Sequence, residues 1–312
     1  MDISIIYVNW KSEAYIKESI DSVYEHTRGL QFEIIVVDNA SPSGNVDMLK
    51  EHFPQITLIK SEKNLGFAGA NNLGFQNSSG EIILFLNPDT KLMNPAIDAM
   101  VHHLRNLPDG GIMGCKLFNA DFSVQTSCIQ TFPTILNQIL DANVLRDRWP
   151  HNRLWGIGPL YSESTEPAEV EVVSGACLMM KRAVFEKVSM FSEEYFMYAE
   201  DVDLCYKSVQ AGYKNYYTGE GRVLHYGGKS SESDSATRMK WRAIPRFCEK
   251  HHGHFYGIAF RAALASAAMG RLAVIKIACA FGDRLGKQAQ LRVALRKWRT
   301  ILNVLVTPSI PN

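Results

Sequence analysis

Short apolar runs alternate with helix-spaced segments over the first hundred residues. Ile3–Val8 is continuous and rich in β-branched residues. Ser12–His26 then sets Tyr15, Ile16, Ser19, Ile20 and Val23 at helical spacing. Phe32–Val37, Ile56–Ile59 and Glu81–Leu86 predict three more strands, and Phe67–Gln76 and Pro95–Arg105 predict helices. Unbroken apolar strands separated by helices are buried on both faces, which predicts a mostly parallel α/β sheet flanked by helices. Ligands of such sheets bind beyond the carboxyl ends of the strands. That rule selects Asn9, Asp38-Asn39 and Asn87-Pro88-Asp89, polar groups that each follow a strand directly. Asp121–Pro167 is irregular, with one short helix expected near Ile135–Leu140. Beyond it, Val170–Met180 predicts a strand, followed by a short helix to Val188. Asp201–Gln210 predicts a helix stopped by Gly212. Tyr213–Tyr217 and Arg222–Tyr226 predict short strands, and Ala236–Lys250 a helix despite Pro245.

Composition adds class and charge. With 46% hydrophobic and 21% charged residues, the 312-residue chain is globular. A net charge of +1 argues against nucleic acid held by bulk charge. From Phe260 onward, however, nine basic residues face one acidic residue, a net +8. The other 24 basic and 31 acidic residues leave −7. Ile258–Phe281 is apolar but interrupted by Arg261, Arg271 and Lys276, so no uninterrupted run reaches the length of a membrane span. Its apolar residues do not fall cleanly on one face. The segment reads as a helix on a membrane surface, with basic side chains snorkelling to anionic headgroups; the other reading is a helical packing or homodimerisation element. The expected division is a catalytic domain over 1–257 and a basic helical tail over 258–312. The first residues read as a strand rather than a signal peptide. Six scattered cysteines without a CxxC pair read as free thiols in a reducing compartment. Both point to a cytoplasmic location on the inner face of the cytoplasmic membrane.

Several familiar motifs are absent: GxGxxG after the first strand, GxxxxGK[ST] and GxSxG. What is present is acidic and polar. Asp38 can accept from a pyrimidine imide or ribose hydroxyls, or cap its own turn. Asn64–Gly74, with Gly69 and Asn72, opens a helix. Its small residues either let a diphosphate approach the helix N-terminus or allow tight helix–sheet packing. Asn87-Pro88-Asp89-Thr90 offers a carboxylate to a hard divalent cation, or a helix cap. Glu200-Asp201-Val202-Asp203 follows an aromatic stretch. It offers a general base, or simply acidic residues favoured in a first helical turn. His225 ends a strand before Gly227-Gly228 and could complete a metal site or merely pack. His251-His252-Gly253-His254 reads as structural.

In order along the chain, SIIYVNWK (4–11), VVDNASPSGN (36–45), NLGFAGANNLG (64–74), ILFLNPDT (83–90), the stretch 174–213 and HYGGKSS (225–231) together resemble the inverting glycosyltransferases of family 2. These have the GT-A fold, and the likeness is to their rhamnosyltransferase-like branch. The resemblance implies that Asp38 recognises the base, with Asn9, Asn39, Gly69, Asn72 and Asn87 lining the donor site. It implies Asp89 and His225 for a divalent metal, Mg or Mn. Asn87 stands where the family's DXD motif has its first Asp. Asp201 is implied as the general base, with Glu200 the alternative. Met190 and Ser192 depart from the family's usual Gly and Asp. The implied reaction is inverting transfer of a sugar, with dTDP-L-rhamnose the favoured nucleotide-sugar donor, to a glycan or lipid-linked (polyprenyl-diphosphate) acceptor in cell-surface polysaccharide synthesis. The alternatives are a UDP-hexose or galactofuranose donor, or a non-catalytic nucleotide-sugar-binding assembly protein.

Overall fold

The computed structural model describes residues 1–42, 45–227, 234–281 and 288–307. In chain order the elements are β1 (Ile3–Asn9), α1 (Glu13–His26), β2 (Phe32–Asp38), α2 (Met48–His52), β3 (Thr57–Lys60), α3 (Gly66–Gln76), β4 (Ile82–Leu86), β5 (Thr90–Leu92), α4 (Ala96–Asn106), β6 (Gly110–Phe118) and β7 (Ile129–Gln130). There follow α5 (Ile135–Leu140), α6 (Asn143–Arg148), β8 (Ala168–Val170), β9 (Val172–Val173), β10 (Cys177–Lys181), α7 (Arg182–Lys187), α8 (Glu200–Gln210), β11 (Lys214–His225), α9 (Asp234–His252), α10 (His254–Phe281) and α11 (Gln288–Val306). The chain divides into two compact units, Met1–Phe132 with Trp149–Gly227, and Pro133–Arg148 with Gly228–Asn312. The contact boundary therefore precedes the composition change at 258.

The first unit is built on one sheet of order β3-β2-β1-β4-β10-β6-β11-β5, with β8 on β11. The β3-β2-β1-β4 half is parallel, because its strands are apolar on both faces and joined by helices. The sheet as a whole is mixed. β10 runs antiparallel to both β4 and β6, and β5 and β8 run antiparallel to β11. Ile5, Ile6, Ile35, Leu84 and Phe85 are fully buried at the centre. Phe75, Phe85, Phe185 and Phe191 pack ring to ring behind them, at centroid separations of 4.8 to 5.5 Å.

β6 is not among the strands expected from sequence. A Cβ at its Gly111 would lie 2.1 Å from Ser208 Oγ and one at its Gly114 2.3 Å from Val173 Cγ1. The glycines bring α8 and β9 against the sheet. The expected Val170–Met180 strand is three pieces, and the two strands expected over 213–226 are one, β11, with a register shift between Thr218 and Arg222.

In the second unit α5 opens with a capping box between Thr134 and Asn137, and α9, α10 and α11 pack on one another. Arg271 donates to the Ile139 and Asp141 carbonyls (2.6 and 3.2 Å) and lies 4.3 Å over the Trp298 ring. Arg261 donates to Leu305 O, and Arg296 pairs with Asp234. Arg261 and Arg271, two of the three basic residues that sequence alone sends to headgroups, are thus engaged within the unit. α10 is long and apolar enough to cross a membrane by length and composition, despite its interruptions.

Candidate active site

The strand ends define one edge of the first unit. Asn9 and Asp38 are register partners on β1 and β2. Both are buried, so the carboxylate needs a donor. Asn9 Nδ2 supplies it to Asp38 Oδ1 at 2.9 Å. Nδ2 also sits 3.3 Å from Ser41 Oγ. A fixed carboxylate at the end of β2 is suited to accept from a base or ribose.

Asn39 does different work. Its Nδ2 donates to Asn64 Oδ1 and Gly66 O, both at 3.0 Å, and its Oδ1 accepts from Leu65 N at 2.7 Å. Gly66 N donates to Asn64 Oδ1 and Phe67 N to Phe196 O. The N–H groups at the entry of α3 are therefore already engaged, and the diphosphate cradle expected there is taken up by the protein itself. Asn72 is likewise committed. It donates to Phe191 O (3.0 Å) and Glu193 Oε1 (2.9 Å) and accepts from Phe191 N (3.1 Å). A Cβ at Gly69 would lie 3.7 Å from Glu193 Oε2, and one at Gly66, where φ is +73°, would meet Phe196 O at 2.4 Å. Asn39 thus ties the 64–66 turn at the start of α3 to the end of β2, and Asn72 holds the 191–193 segment against α3.

Asn87, Asp89 and His225 converge. β5 pairs with β11 so that Thr90 faces His225, and Tyr226 N donates to Asp89 O. His225 Nε2 lies 3.3 Å from Asp89 Oδ1 and 3.3 Å from Asn87 Nδ2. The turn is anchored from the core by Thr90, whose Oγ1 donates to Asn87 O at 2.7 Å and meets Ser19 Oγ at 3.2 Å. Two carboxylate and imidazole atoms this close, with an amide beside them, fit adjacent ligands of one cation. No group of three His, Cys, Asp or Glu is gathered among the described residues. Further ligands would come from water and a diphosphate.

The 174–176 turn before β10 links this cluster to α8. Asn87 N donates to Ala176 O at 2.9 Å, and Gly175 N donates to Asp201 Oδ2 at 2.9 Å. Asp201 Oδ1 accepts from Val202 N at 2.8 Å. A Cβ at Gly175 would make only ordinary contact, 3.4 Å from Asp201 Cβ, so it is the backbone N–H of Gly175 that holds Asp201. Glu200 differs from its neighbour. It is buried, its Oε2 has no hydrogen-bond partner among the described residues, and burial followed by the Asp201 charge pushes its carboxyl well above the usual glutamate range. Asp203, fully buried, accepts from Ser192 Oγ at 2.6 Å and pairs with Lys207 at 3.6 Å, which makes it a brace for the 190–193 segment.

Sequence reasoning missed Gln125, whose Oε1 is 2.9 Å from His225 Nδ1. It also missed the roles of Gly175 and Glu193. The small triplet Ser174-Gly175-Ala176 before an apolar strand was the available signal for the turn. Gln125 sits in the irregular middle and had none. Gly228, the second of the two glycines after His225, lies outside the described residues.

The buried Asp38 carboxylate, the Asp89–His225 pair and the backbone-held Asp201, set on a mixed α/β sheet, suit a sugar-nucleotide transferase of GT-A architecture. The fold agrees. A mannosyltransferase from Pyrobaculum calidifontis, solved with GDP-Man and Mn²⁺, superposes with a TM-score of 0.60 at 17% identity, over 97% of this chain and 86% of that one. The family model for glycosyl transferase family 2 matches residues 4–189, and the chain belongs to that family. It is similar to the N-acetylglucosaminyl-diphospho-decaprenol L-rhamnosyltransferase of Mycobacterium tuberculosis, 32% identical over 219 residues, 66% of this chain and 70% of the relative. It is also similar to the rhamnosyltransferase WbbL of Escherichia coli K12, 24% identical over 78% of this chain and 91% of the relative.

Proposed function

We propose that the protein is an inverting transferase that moves L-rhamnose from dTDP-L-rhamnose to a polyprenyl-diphosphate-linked or glycan acceptor in cell-surface polysaccharide synthesis. The likeness to two rhamnosyltransferases supports the sugar. One observation carries the chemistry: Asp201 is held by Gly175 N, one residue from the carbonyl that binds the Asn87 turn. This sets a proton acceptor beside a cation cluster.

Asp201 takes the proton from the acceptor hydroxyl as it attacks the anomeric carbon. Attack from the face opposite the nucleotide inverts the configuration. Both oxygens of Asp201 accept from backbone N–H groups, which orients the carboxylate for that transfer. Burial and the neighbouring Asp201 charge both favour the protonated form of Glu200. Asp38, steadied by Asn9, accepts from the base or ribose. Asp89, His225 and Asn87 would hold Mg²⁺ or Mn²⁺, which when bound neutralises charge on the departing diphosphate.

Binding of dTDP-L-rhamnose, UDP-hexoses and UDP-galactofuranose by calorimetry tests the donor, with dTDP-L-rhamnose expected tightest. A UDP sugar binding tightest would replace it. Asp201→Asn should lower turnover by about 10²–10⁴-fold with donor affinity retained. Near wild-type turnover would remove the base assignment, and donor binding without any transfer by the wild type would indicate an assembly protein. Chelation by EDTA should suppress transfer and added Mn²⁺ or Mg²⁺ restore it. Full activity after chelation would remove the metal.

A further inference from the structure

A line of hydrogen bonds runs from the surface to the His225 ring, and its direction is set at one end. Asp121 Oδ1 accepts from Ser123 Oγ at 2.5 Å and from Ser123 N at 3.0 Å. An ionised carboxylate only accepts, so the single Ser123 hydroxyl hydrogen is spent there. Towards Asn119 the same oxygen must accept, and Asn119 Nδ2 donates to it at 2.9 Å. That turns Asn119 Oδ1 towards Gln125, whose Nε2 donates at 3.1 Å. Gln125 is thereby left with its carbonyl oxygen against His225 Nδ1 at 2.9 Å. A carbonyl cannot donate, so the hydrogen of this bond belongs to Nδ1.

Backbone contacts hold the same segment. Asn119 N donates to Ser123 O at 2.9 Å, Phe122 N to Asn119 O at 2.8 Å and Gln125 N to Leu117 O at 2.9 Å. On the ring's other side, a Cβ at Gly227 would lie 2.6 Å from His225 Cε1 and Nε2, so only glycine leaves the ring where it is.

We infer that Gln125 is a positioning residue for His225: the Asp121–Ser123–Asn119–Gln125 line fixes the imidazole with Nδ1 protonated, so that Nε2 offers its lone pair at the Asp89 carboxylate. With Nε2 unprotonated, it accepts from Asn87 Nδ2 at 3.3 Å and lies 3.3 Å from Asp89 Oδ1, two acceptor atoms at the spacing of neighbouring ligands of one cation. This rests on the metal-assisted reading above. Fixing the tautomer and ring angle through the second ring nitrogen is how outer partners raise the affinity of a histidine ligand.

The test uses the full chain with ¹⁵N-labelled histidine, free of metal. The His225 signals are assigned by their loss in His225→Gln. Long-range ¹H–¹⁵N correlation should show His225 as the Nδ1–H tautomer in the wild type and in Gln125→Glu, which keeps an acceptor. Gln125→Leu should show a tautomer mixture. Electron paramagnetic resonance titration of Mn²⁺ with dTDP present should show about 10–100-fold weaker binding in Gln125→Leu, largely recovered in Gln125→Glu. Unchanged thermal melting separates this from misfolding. An Nε2–H tautomer in the wild type overturns the proposal, as does a Gln125→Leu variant with unchanged tautomer and Mn²⁺ affinity. The expected tautomers in a wild type that binds no Mn²⁺ would show the metal reading to be the part that fails, and would remove the purpose assigned to Gln125.

Discussion

Glu200 and Asp201 are adjacent carboxylates with opposite surroundings. Asp201 accepts two backbone N–H groups, whereas Glu200 is buried with one oxygen that has no hydrogen-bond partner among the described residues. Because its carboxyl titrates above the ordinary glutamate value when folded, the folded state holds the proton more tightly than the unfolded state. Stability from this group is complete below the ordinary value and is lost as pH rises from there through the raised one, by about 1.4 kcal/mol per pH unit within that window. Glu200→Gln removes the ionisation and leaves the shape. The variant should therefore gain on the wild type in urea midpoint as pH rises from 4 to 8. Parallel pH profiles for the two proteins would show that Glu200 ionises freely. At this scale the sequence marked Asp38, Asp89, Asp201 and His225 because each interrupts an apolar or aromatic run with a charge or an imidazole. It could not separate Asn39 and Asn72 from them. An asparagine's neighbours in sequence do not show whether its amide is already spent on a backbone 119 residues away, as that of Asn72 is on Phe191.

At the scale of elements, the approach to α8 is the most constrained stretch. Tyr198 (φ +72°) and Ala199 (φ +67°) are both left-handed, and neither is glycine. Such residues cost about 1–2 kcal/mol each and persist where surrounding structure imposes them. Here they aim the first turn of α8 at Gly175, which delivers Asp201. Ala199→Gly should raise stability by about 0.5–1 kcal/mol in urea unfolding, while turnover falls because the turn is no longer held. A variant with no gain in stability would show that no strain is stored at Ala199. The Rossmann-like strands and helices of the first hundred residues were legible because periodicity and burial agree there. β6 was not, since its glycines answer to Ser208 and Val173, which are distant in sequence. The reversal of β10 was hidden for a similar reason. A five-residue apolar run reads the same in either direction, and its pairing with β4 and β6 is decided by the whole sheet.

Across the whole molecule, the charge asymmetry that sequence reveals needs revising by what the helices do with it. Of the basic residues on α10 and α11, Arg261, Arg271, Arg292 and Arg296 donate to partners within their unit, leaving Lys276, Lys297 and Arg299 for a surface. Each basic residue at an anionic bilayer contributes about 1 kcal/mol, screened by salt, so charge alone gives a modest attachment. The apolar contribution is larger than the sequence indicated. Phe255, Ile258, Met269 and Ile277 are exposed and recur at helical spacing with Ala262 and Ala273 along one side of α10, whereas Val274, also exposed, points about 100° away from Phe255. That side extends about 33 Å at the rise of an α-helix, and it carries one charge, the exposed Lys276, about five turns beyond Ile258. A face of this kind seats at the boundary of headgroups and acyl chains. The full chain should therefore sediment with phosphatidylglycerol vesicles and be weakened but not released by 0.5 M salt. Phe255→Ser/Ile258→Ser/Ile277→Ser should abolish sedimentation, and Lys297→Glu/Arg299→Glu should weaken it by about tenfold or more. Release by alkaline carbonate is expected for a helix lying on the surface, and resistance would show that α10 spans. A wild type that ignores vesicles but dimerises with rising concentration would assign the stripe to a second copy of the chain.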